Sequence, residues 1–457
     1  MTHLAFLLAL SLAAVQASVR PQDPTPSSLE RRIDRFVRPY VASNNFTGVI
    51  LVRRGGRVQL NKGYGMANYE LGVVNQPWTR FHVASVTKPF TAAAVLLLEE
   101  RGKLSLDDSV SRHLPGYPNG ERIRIKHLVE QTAGIPNLGG GPDWARQERL
   151  PYTTEELVAL FKDLPLEFEP GSQSRYSNSN YNLLTLIIEK VSGQSYESFL
   201  RENIWNPLGL RTTVDGSDMT RLVPNRAAGV EPAGIRDVRL PRFIDWSSRR
   251  GSGSLVTTAS DLDRFVEALY GGKLLQPASL AKVLAPAEGF AYGWARGERF
   301  GRKVMRGSGR SPGYNASVQR YLDDGTTVIV LTNSYSPVGQ DSVFLAGIHA
   351  AVFGPAPVPP ALLPVRVKQG SLTELAGQYQ MPQDYFVPNA TLELIDRGNQ
   401  LEAVWSNGAR NTIYPVGPGR FLDRNFWADV SFARDSAGTV SGFTYVVGGQ
   451  RFTAVRR

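Results

Sequence analysis

The sequence predicts an α/β (α+β) protein in which an antiparallel sheet is flanked by helices, an all-helical lobe is inserted into the sheet, and a small all-β domain follows. Three observations carry this. Strand signals lie at both ends of the first 354 residues, with helical and Pro/Gly-rich sequence between them. Five prolines (355, 357, 359, 360, 364) then punctuate the segment 354–370, as in a semi-rigid linker. Beyond it, short runs of alternating polarity replace helical periodicity, the mark of strands with one buried face.

Element by element, Leu29 to Val41 reads as an amphipathic helix, and Phe46–Val52 and Arg57–Ala67 as strands joined across Arg54-Gly55-Gly56. A helix opens at Ser85 and continues through the apolar run Pro89–Leu98, followed by short helices and loops from about Leu104 to Leu240. Tyr181 to Val191 is helical and stops at Ser192-Gly193, and Thr257-Thr258 with Asp261 opens another helix over Ala259–Tyr270. Arg302–Met305, Tyr314–Leu322 and Thr326–Asn333 read as antiparallel strands, the last two linked by Asp323-Asp324-Gly325, and a helix over Asp341–Phe353 closes the unit. The C-terminal strands are read at Ala390–Ile395, Gln400–Trp405, Phe426–Phe432 and Val440–Val447. The expected organisation is therefore residues 1–17 as a signal peptide, 28–354 as the catalytic unit, 355–370 as linker and 371–457 as a small β-rich unit.

Composition bounds the function. The 457 residues include no cysteine, which excludes disulfides, thiolate nucleophiles and thiolate metal sites. The five histidines (3, 82, 113, 127, 349) form no HExxH, so no metal and no cofactor is expected. His82, on the approach strand, is read as a satisfied structural histidine. The net charge of +10 lies upstream of the C-terminal unit, because residues 371–457 hold eight arginines against eight acids. Those upstream basic residues are scattered, without a dense run or interleaved aromatics, so a solvated surface is expected and not a nucleic-acid partner. Leu4 to Val15 is apolar and ends in Val15-Gln16-Ala17, a small-x-small cleavage pattern too short to span a membrane. The reading is export to the periplasm or medium, with cleavage after Ala17 and no stable membrane insertion; a buried N-terminal helix is the alternative.

The chemistry concentrates in Ser85-Val86-Thr87-Lys88. Residues three apart share a helix face, so the Ser85 hydroxyl sits beside an amine able to take its proton, at the helix end that favours negative charge. Spacing alone is weak, since Ser279-Leu-Ala-Lys282 repeats it and reads as a solvent-facing pair. Only the first copy is followed by Tyr176-Ser177-Asn178 leading into a helix, and then by Gly307-Ser308-Gly309. Tyr117-Pro118-Asn119 also matches the second element, but in a turn without a helix behind it.

With their surroundings these elements resemble the serine β-lactamase and penicillin-binding superfamily, closest to the class C β-lactamase-related branch of DD-peptidases, D-aminopeptidases and β-lactamase-like esterases. The resemblance covers about Leu29 to Phe353. It includes Phe81-His-Val-Ala-Ser-Val-Thr-Lys88, Leu128-Val-Glu-Gln-Thr-Ala-Gly134, Glu169-Pro-Gly171, Asn206-Pro-Leu-Gly-Leu210, Gly253-Ser-Leu-Val-Thr-Thr-Ala-Ser-Asp261 and Ser308-Gly-Arg-Ser-Pro-Gly313. The C-terminal unit resembles the small barrel-like appendages of that branch, with its partner unknown. The resemblance implies Ser85 as nucleophile, Lys88 and Tyr176 sharing proton handling, and Asn178 positioning the substrate amide or carbonyl. It implies an oxyanion hole from the backbone N–H groups of Ser85 and Arg310, with Gly307, Ser308 and Gly309 lining the substrate strand. The expected partner is a small-molecule or peptide acyl substrate: a D-alanyl peptide, a β-lactam or a short acyl ester.

Two positions depart from the pattern. Gly307-Ser308-Gly309 lacks the basic residue that opens the third element in relatives, which leaves Arg306 or Arg310 to supply positive charge. Gln131 stands where many relatives carry His. Two rival readings are open at this point. Gly309-Arg-Ser311-Pro-Gly313 fits a G-x-S-x-G nucleophile elbow with Asp341 and His349 following in order, although a strand and not a helix is expected after it. The other rival is a non-catalytic, penicillin-binding-like envelope binding or scaffold protein, which the missing base favours and the retained Ser85, Lys88, Tyr176 and Asn178 oppose.

Overall fold

The computed structural model describes residues 27–138, 143–285, 290–335, 343–354, 372–406, 408–447 and 450–457. The expected signal peptide, the linker 355–370 and Asp341 lie outside them.

Helix α1 (Ser28–Ala42) begins where the Ser27 hydroxyl accepts the Glu30 N–H at 3.1 Å, a capping contact. It is followed by β1 (Gly48–Arg54) and β2 (Arg57–Tyr64). Helices α2 (Lys88–Glu100), α3 (Asn178–Ser192) and α4 (Ala259–Tyr270) come next. Then come β3 (Phe290–Ala291), β4 (Trp294–Arg299), β5 (Arg302–Ser311), β6 (Tyr314–Tyr321), β7 (Thr327–Thr332) and α5 (Val343–Phe353). These strands form one seven-stranded sheet in the order β3-β4-β5-β6-β7-β1-β2, with every pair antiparallel.

Strand alternation gives the sheet two cores. Val49, Leu51, Met305, Ile329 and Leu331 pack with α2, α3 and the lobe. Ile50, Val52, Val304, Val328 and Val330 pack on the other face with Phe36 of α1 and Phe344 of α5. A sheet buried on both faces reads as near-continuous apolar runs, as β1 and β7 do. The lobe between β2 and α4 is mainly short helices, but it also holds short strands at Val214–Asp215, Glu231–Ala233 and Asp237–Arg239, which corrects the all-helical expectation.

The C-terminal region closes into an eight-stranded barrel, β8 to β15: Gly377–Gln380, Thr391–Asp396, Leu401–Trp405, Arg410–Gly417, Arg420–Asp423, Ala428–Arg434, Val440–Val447 and Gln450–Arg456. Closure removes edge strands. The barrel has its own core around Tyr379, Leu394, Phe443 and Phe452, while Tyr414, Leu422 and Trp427 join the α1/α5 core of the sheet unit.

Candidate active site

Ser85 is not in an α-helix. Ala84–Thr87 form a 3₁₀ turn, and α2 begins at Lys88-Pro89. Proline cannot donate a backbone hydrogen bond, so it fits the first turn of α2. In a 3₁₀ turn side chains three apart eclipse one another, which places Ser85 directly over Lys88. Ala84 enters the turn at φ 45°, a left-handed conformation that a non-glycine residue holds only when its surroundings enforce it.

Tyr176, Asn178 and Ser252 converge on this turn. Lys88 Nζ lies 3.0 Å from Ser85 Oγ, 2.8 Å from Asn178 Oδ1 and 2.6 Å from the Ser252 carbonyl. Tyr176 OH lies 2.7 Å from Ser85 Oγ and donates to Asn178 Oδ1 at 3.3 Å. Tyr176 is 37% exposed as a whole residue, while its hydroxyl end reaches into this group. Lys88 is fully buried, and burial, with the nearby Arg249 charge, pushes its amine well below the ordinary lysine range. Burial likewise pushes the Tyr176 phenol up to about 12, against the lowering effect of Ser85 and Arg249.

Asn178 opens α3, and the position before it, Ser177, is the cap. Its amide is committed on both sides: Nδ2 donates to Asn137 Oδ1 at 3.1 Å, and its backbone N–H donates to the same oxygen at 3.0 Å. The Asn178 oxygen is thereby turned toward Lys88, so the side chain orients the amine. Gln131, at φ 61°, accepts from Ser177 N at 2.8 Å and from Asn180 Nδ2 at 2.7 Å, and so holds the turn that presents Tyr176. Sequence reasoning missed Asn137 and Ser252; nothing in their local sequence marks them.

The third element is part of β5, which continues past the expected Met305 to Ser311. Beyond Arg306 the strand has no β4 partner, so the edge of residues 307–311 is open toward Ser85. A Cβ on Gly309 would stand 2.0 Å from the Val83 carbonyl and 2.9 Å from Ser85 N, and one on Gly307 would meet the Trp294 ring at 3.2 Å. Gly309 faces the nucleophile turn and requires glycine outright, whereas Gly307 faces the Trp294 ring. Ser308 and Arg310 alternate with them. The Arg310 guanidinium lies 4.1 Å from the Tyr335 ring and 5.2 Å from the Phe426 ring. Arg306 instead packs along Gly297 of β4.

Behind Lys88, Glu148 is buried and pairs with Arg249 at 2.5 Å and with Arg242. The Arg249 guanidinium lies over Trp144 at 5.0 Å, and burial, then Arg242, push it down to about 10.

The remaining expectations divide. Ser279 is buried, against the solvent-facing reading, whereas the Lys282 side chain is partly exposed and pairs with Glu99 at 2.7 Å. Asn119 turns at φ 58°, consistent with the turn reading of Tyr117–Asn119. His82 is buried and stacks on Trp246 at 3.6 Å, but its Nδ1 lacks a hydrogen-bond partner among the described residues; stacking, not hydrogen bonding, accounts for its place. Ser311 ends β5 and the chain turns into β6, so the elbow geometry is absent. His349 sits on α5 with Nδ1 3.0 Å from Tyr321 OH, among apolar neighbours.

The beta-lactamase family profile matches residues 33–350. Putative penicillin-binding protein PbpX of Bacillus subtilis is 32% identical over 298 residues, 64% of this chain and 71% of that protein. Penicillin-binding protein 4* of the same organism is 28% identical over 415 residues, 85% of this chain and 90% of that protein. Among solved structures, the octameric penicillin-binding protein homologue from Pyrococcus abyssi superimposes with a TM-score of 0.63 at 23% identity, covering 93% of this chain and 99% of that one. D-amino acid amidase from Ochrobactrum anthropi gives 0.61 at 22% identity over 71% of this chain and 97% of that one; at these identities the likeness concerns the fold. The profile spans more than two thirds of the chain and includes the whole Ser85 arrangement, and the chain therefore belongs to the beta-lactamase family of serine hydrolases.

Proposed function

We propose that the protein is an exported acyl-enzyme hydrolase in which Ser85 attacks an ester or amide carbonyl of a D-alanyl peptide, a β-lactam or a short acyl ester. The observation that carries this is the set of contacts around Lys88. A neutral amine has two N–H groups and one lone pair. Two of its three partners, Asn178 Oδ1 and the Ser252 carbonyl, can only accept, so they use both N–H groups. The lone pair is left facing Ser85 Oγ at 3.0 Å. Burial of Lys88 favours this neutral state.

In the reaction Lys88 takes the Ser85 proton as the Oγ–C bond forms and the carbonyl oxygen becomes an oxyanion. The N–H groups of Ser85 and Arg310 would hold that oxygen, each worth about 3 kcal/mol of transition-state stabilisation. When the tetrahedral species collapses, the bond to the leaving group breaks and Tyr176 gives that group a proton. The Lys88 ammonium, the stronger acid of the pair, then returns a proton to the Tyr176 phenolate. Water, activated by the same groups, releases the acyl chain. Residues 28–354 carry this chemistry, joined through 355–370 to the β-rich 371–457. The relatives named as penicillin-binding proteins support the β-lactam and peptide readings, and the apolar start ending in Ala17 supports export.

The test is intact-mass measurement after incubation with p-nitrophenyl acetate and with a cephalosporin. An acyl adduct on the unsubstituted protein that is absent from Ser85→Ala supports the assignment. An adduct that persists in Ser85→Ala, or none with either compound and no turnover, overturns it.

A further inference from the structure

Beside the shared apolar contacts, Arg424 ties the barrel to the sheet unit by hydrogen bonds. Arg424 is fully buried. Its Nε donates to Asn45 Oδ1 at 2.7 Å. Nη1 donates to the carbonyls of Ala233, Gly234 and Asp237 at 2.7, 2.8 and 2.7 Å, and Nη2 to those of Asn44 and Ser43 at 3.1 and 3.4 Å. Every acceptor precedes the barrel in the chain, and none is a carboxylate. A guanidinium is suited to this role because its donors fan out in one plane and cannot be removed by deprotonation.

The turn that presents Arg424 is built inside the barrel. Asp423 Oδ1 accepts from Asn425 N at 2.8 Å and Phe426 N at 3.2 Å, while Oδ2 accepts from Asn411 Nδ2 and Tyr445 OH, both at 2.9 Å. With one end fixed in the barrel and the other in the sheet unit, the residues that follow have little freedom. Trp427 packs 4.9 Å from Tyr40, and the Arg310 guanidinium lies 5.2 Å from the Phe426 ring and 4.1 Å from the Tyr335 ring.

Arg310 follows Gly309, the residue in contact with the nucleophile turn, and its side chain is exposed. Among the described residues it makes no ion pair; Glu231, within its electrostatic reach, is paired with Arg239 at 3.6 Å. A guanidinium held by its face against aromatic rings keeps its N–H edges available to a planar acceptor. Arg310 is one residue along β5 from Gly309, so its position relative to the Ser85 turn is set by the strand itself.

We propose that the barrel is a working part of the substrate site: Phe426, set by the Arg424 anchor, and Tyr335 hold Arg310 edge-on to bind a carboxylate of the acyl substrate. Arg310 is the binding group, and Phe426 and Arg424 are positioning residues. The arrangement supplies the positive charge that Gly307 lacks. It rests on the acyl-enzyme reading at Ser85.

The test uses two matched ester pairs. In one, N-acetyl-D-alanyl thioglycolate and its thioglycolamide, the carboxylate or carboxamide lies on the leaving group. In the other, p-nitrophenyl hemisuccinate and succinamate, it lies on the acyl side. The readout is the ratio of kcat/KM for carboxylate over carboxamide. For one of the pairs, Arg310→Gln should lower this ratio at least tenfold and Phe426→Ala and Arg424→Gln at least threefold, through KM and not kcat. A ratio within twofold of the unsubstituted protein in Arg310→Gln overturns the carboxylate assignment. A drop in Arg310→Gln with none in Phe426→Ala overturns the barrel's part in it, and Phe426→Ala serves where Arg424→Gln does not fold. Absence of turnover by the unsubstituted protein sinks both readings, and is seen before any variant is made.

Discussion

Lys88 Nζ sits 3.0 Å from Ser85 Oγ in a fully buried position, with no carboxylate among its hydrogen-bond partners in the described residues: Asn178 and Ser252 contribute only uncharged oxygens. A lysine meant to stay charged is ordinarily paired when buried. Here dipoles take its place, and the amine is free to serve as a base.

The first prediction concerns pH. Lys88 must be neutral to accept the Ser85 proton, so activity is lost as pH falls through its lowered pKa and is retained above it. The acid limb of kcat/KM should therefore lie well below the ordinary lysine range. Lys88→Arg, whose guanidinium does not deprotonate, should lose at least about 10³-fold in kcat while keeping the far-UV circular dichroism of the parent. An acid limb that is the same in Lys88→Arg as in the parent would remove Lys88 from the role.

Tyr176 is expected to act later than Lys88. With its phenol raised to about 12 by burial, it stays protonated across the working range and can give its proton to the departing group. Tyr176→Phe should therefore cost about 10²–10⁴ in kcat for a poor leaving group such as an amide. The cost should be much smaller for p-nitrophenolate, which needs no proton. Equal losses for the two substrates would point to a role in positioning only.

Gly309 tests the open strand edge. The first atoms an added methyl would meet are the Val83 carbonyl at 2.0 Å and Ser85 N at 2.9 Å, and neither is a flexible side-chain end. Gly309→Ala must shift β5 or the 3₁₀ turn. It should lower kcat/KM at least 100-fold and cost about 1–3 kcal/mol of stability, read by steady-state kinetics and thermal melting. An active, equally stable variant would mean that the approach of β5 to Ser85 is looser than described.

Where sequence spacing and structure agree, the interactions are local. Thr258 and Asp261 cap α4 at the residues the sequence names, and Gly193 ends α3 at φ 69°. Ser85, Lys88, Tyr176 and Asn178 were legible because their spacing and order repeat a known pattern. The 3₁₀ turn was not, because Pro89 marks a helix start without saying what precedes it. Gly307-Ser308-Gly309 has little strand propensity and is held in β5 by pairing with Val318, Ser317 and Ala316. The Ser252 carbonyl contributes through its backbone, which a sequence motif does not display. Arg424 lies in a polar turn, Asp-Arg-Asn, that reads as solvent-exposed; its partners lie 187 to 381 residues away.

The final prediction separates the Arg249 charge from the Lys88 base. Arg249 lowers the Lys88 pKa, second to burial, because a nearby positive charge disfavours a second one. Replacing it with a neutral side chain of similar length, Arg249→Met, removes that repulsion, so the Lys88 pKa rises and the acid limb of kcat/KM moves to higher pH. Glu148 keeps Arg242 as a partner, which limits the loss of stability. Removing the acid instead, Glu148→Gln, leaves Arg249 and Arg242 facing each other without a counter-charge, and breaking such a buried arrangement costs about 3–5 kcal/mol. The two variants therefore diverge: Arg249→Met changes the pH profile more than the melting temperature, and Glu148→Gln does the reverse. An acid limb that stays in place in Arg249→Met would mean that burial alone sets the state of Lys88.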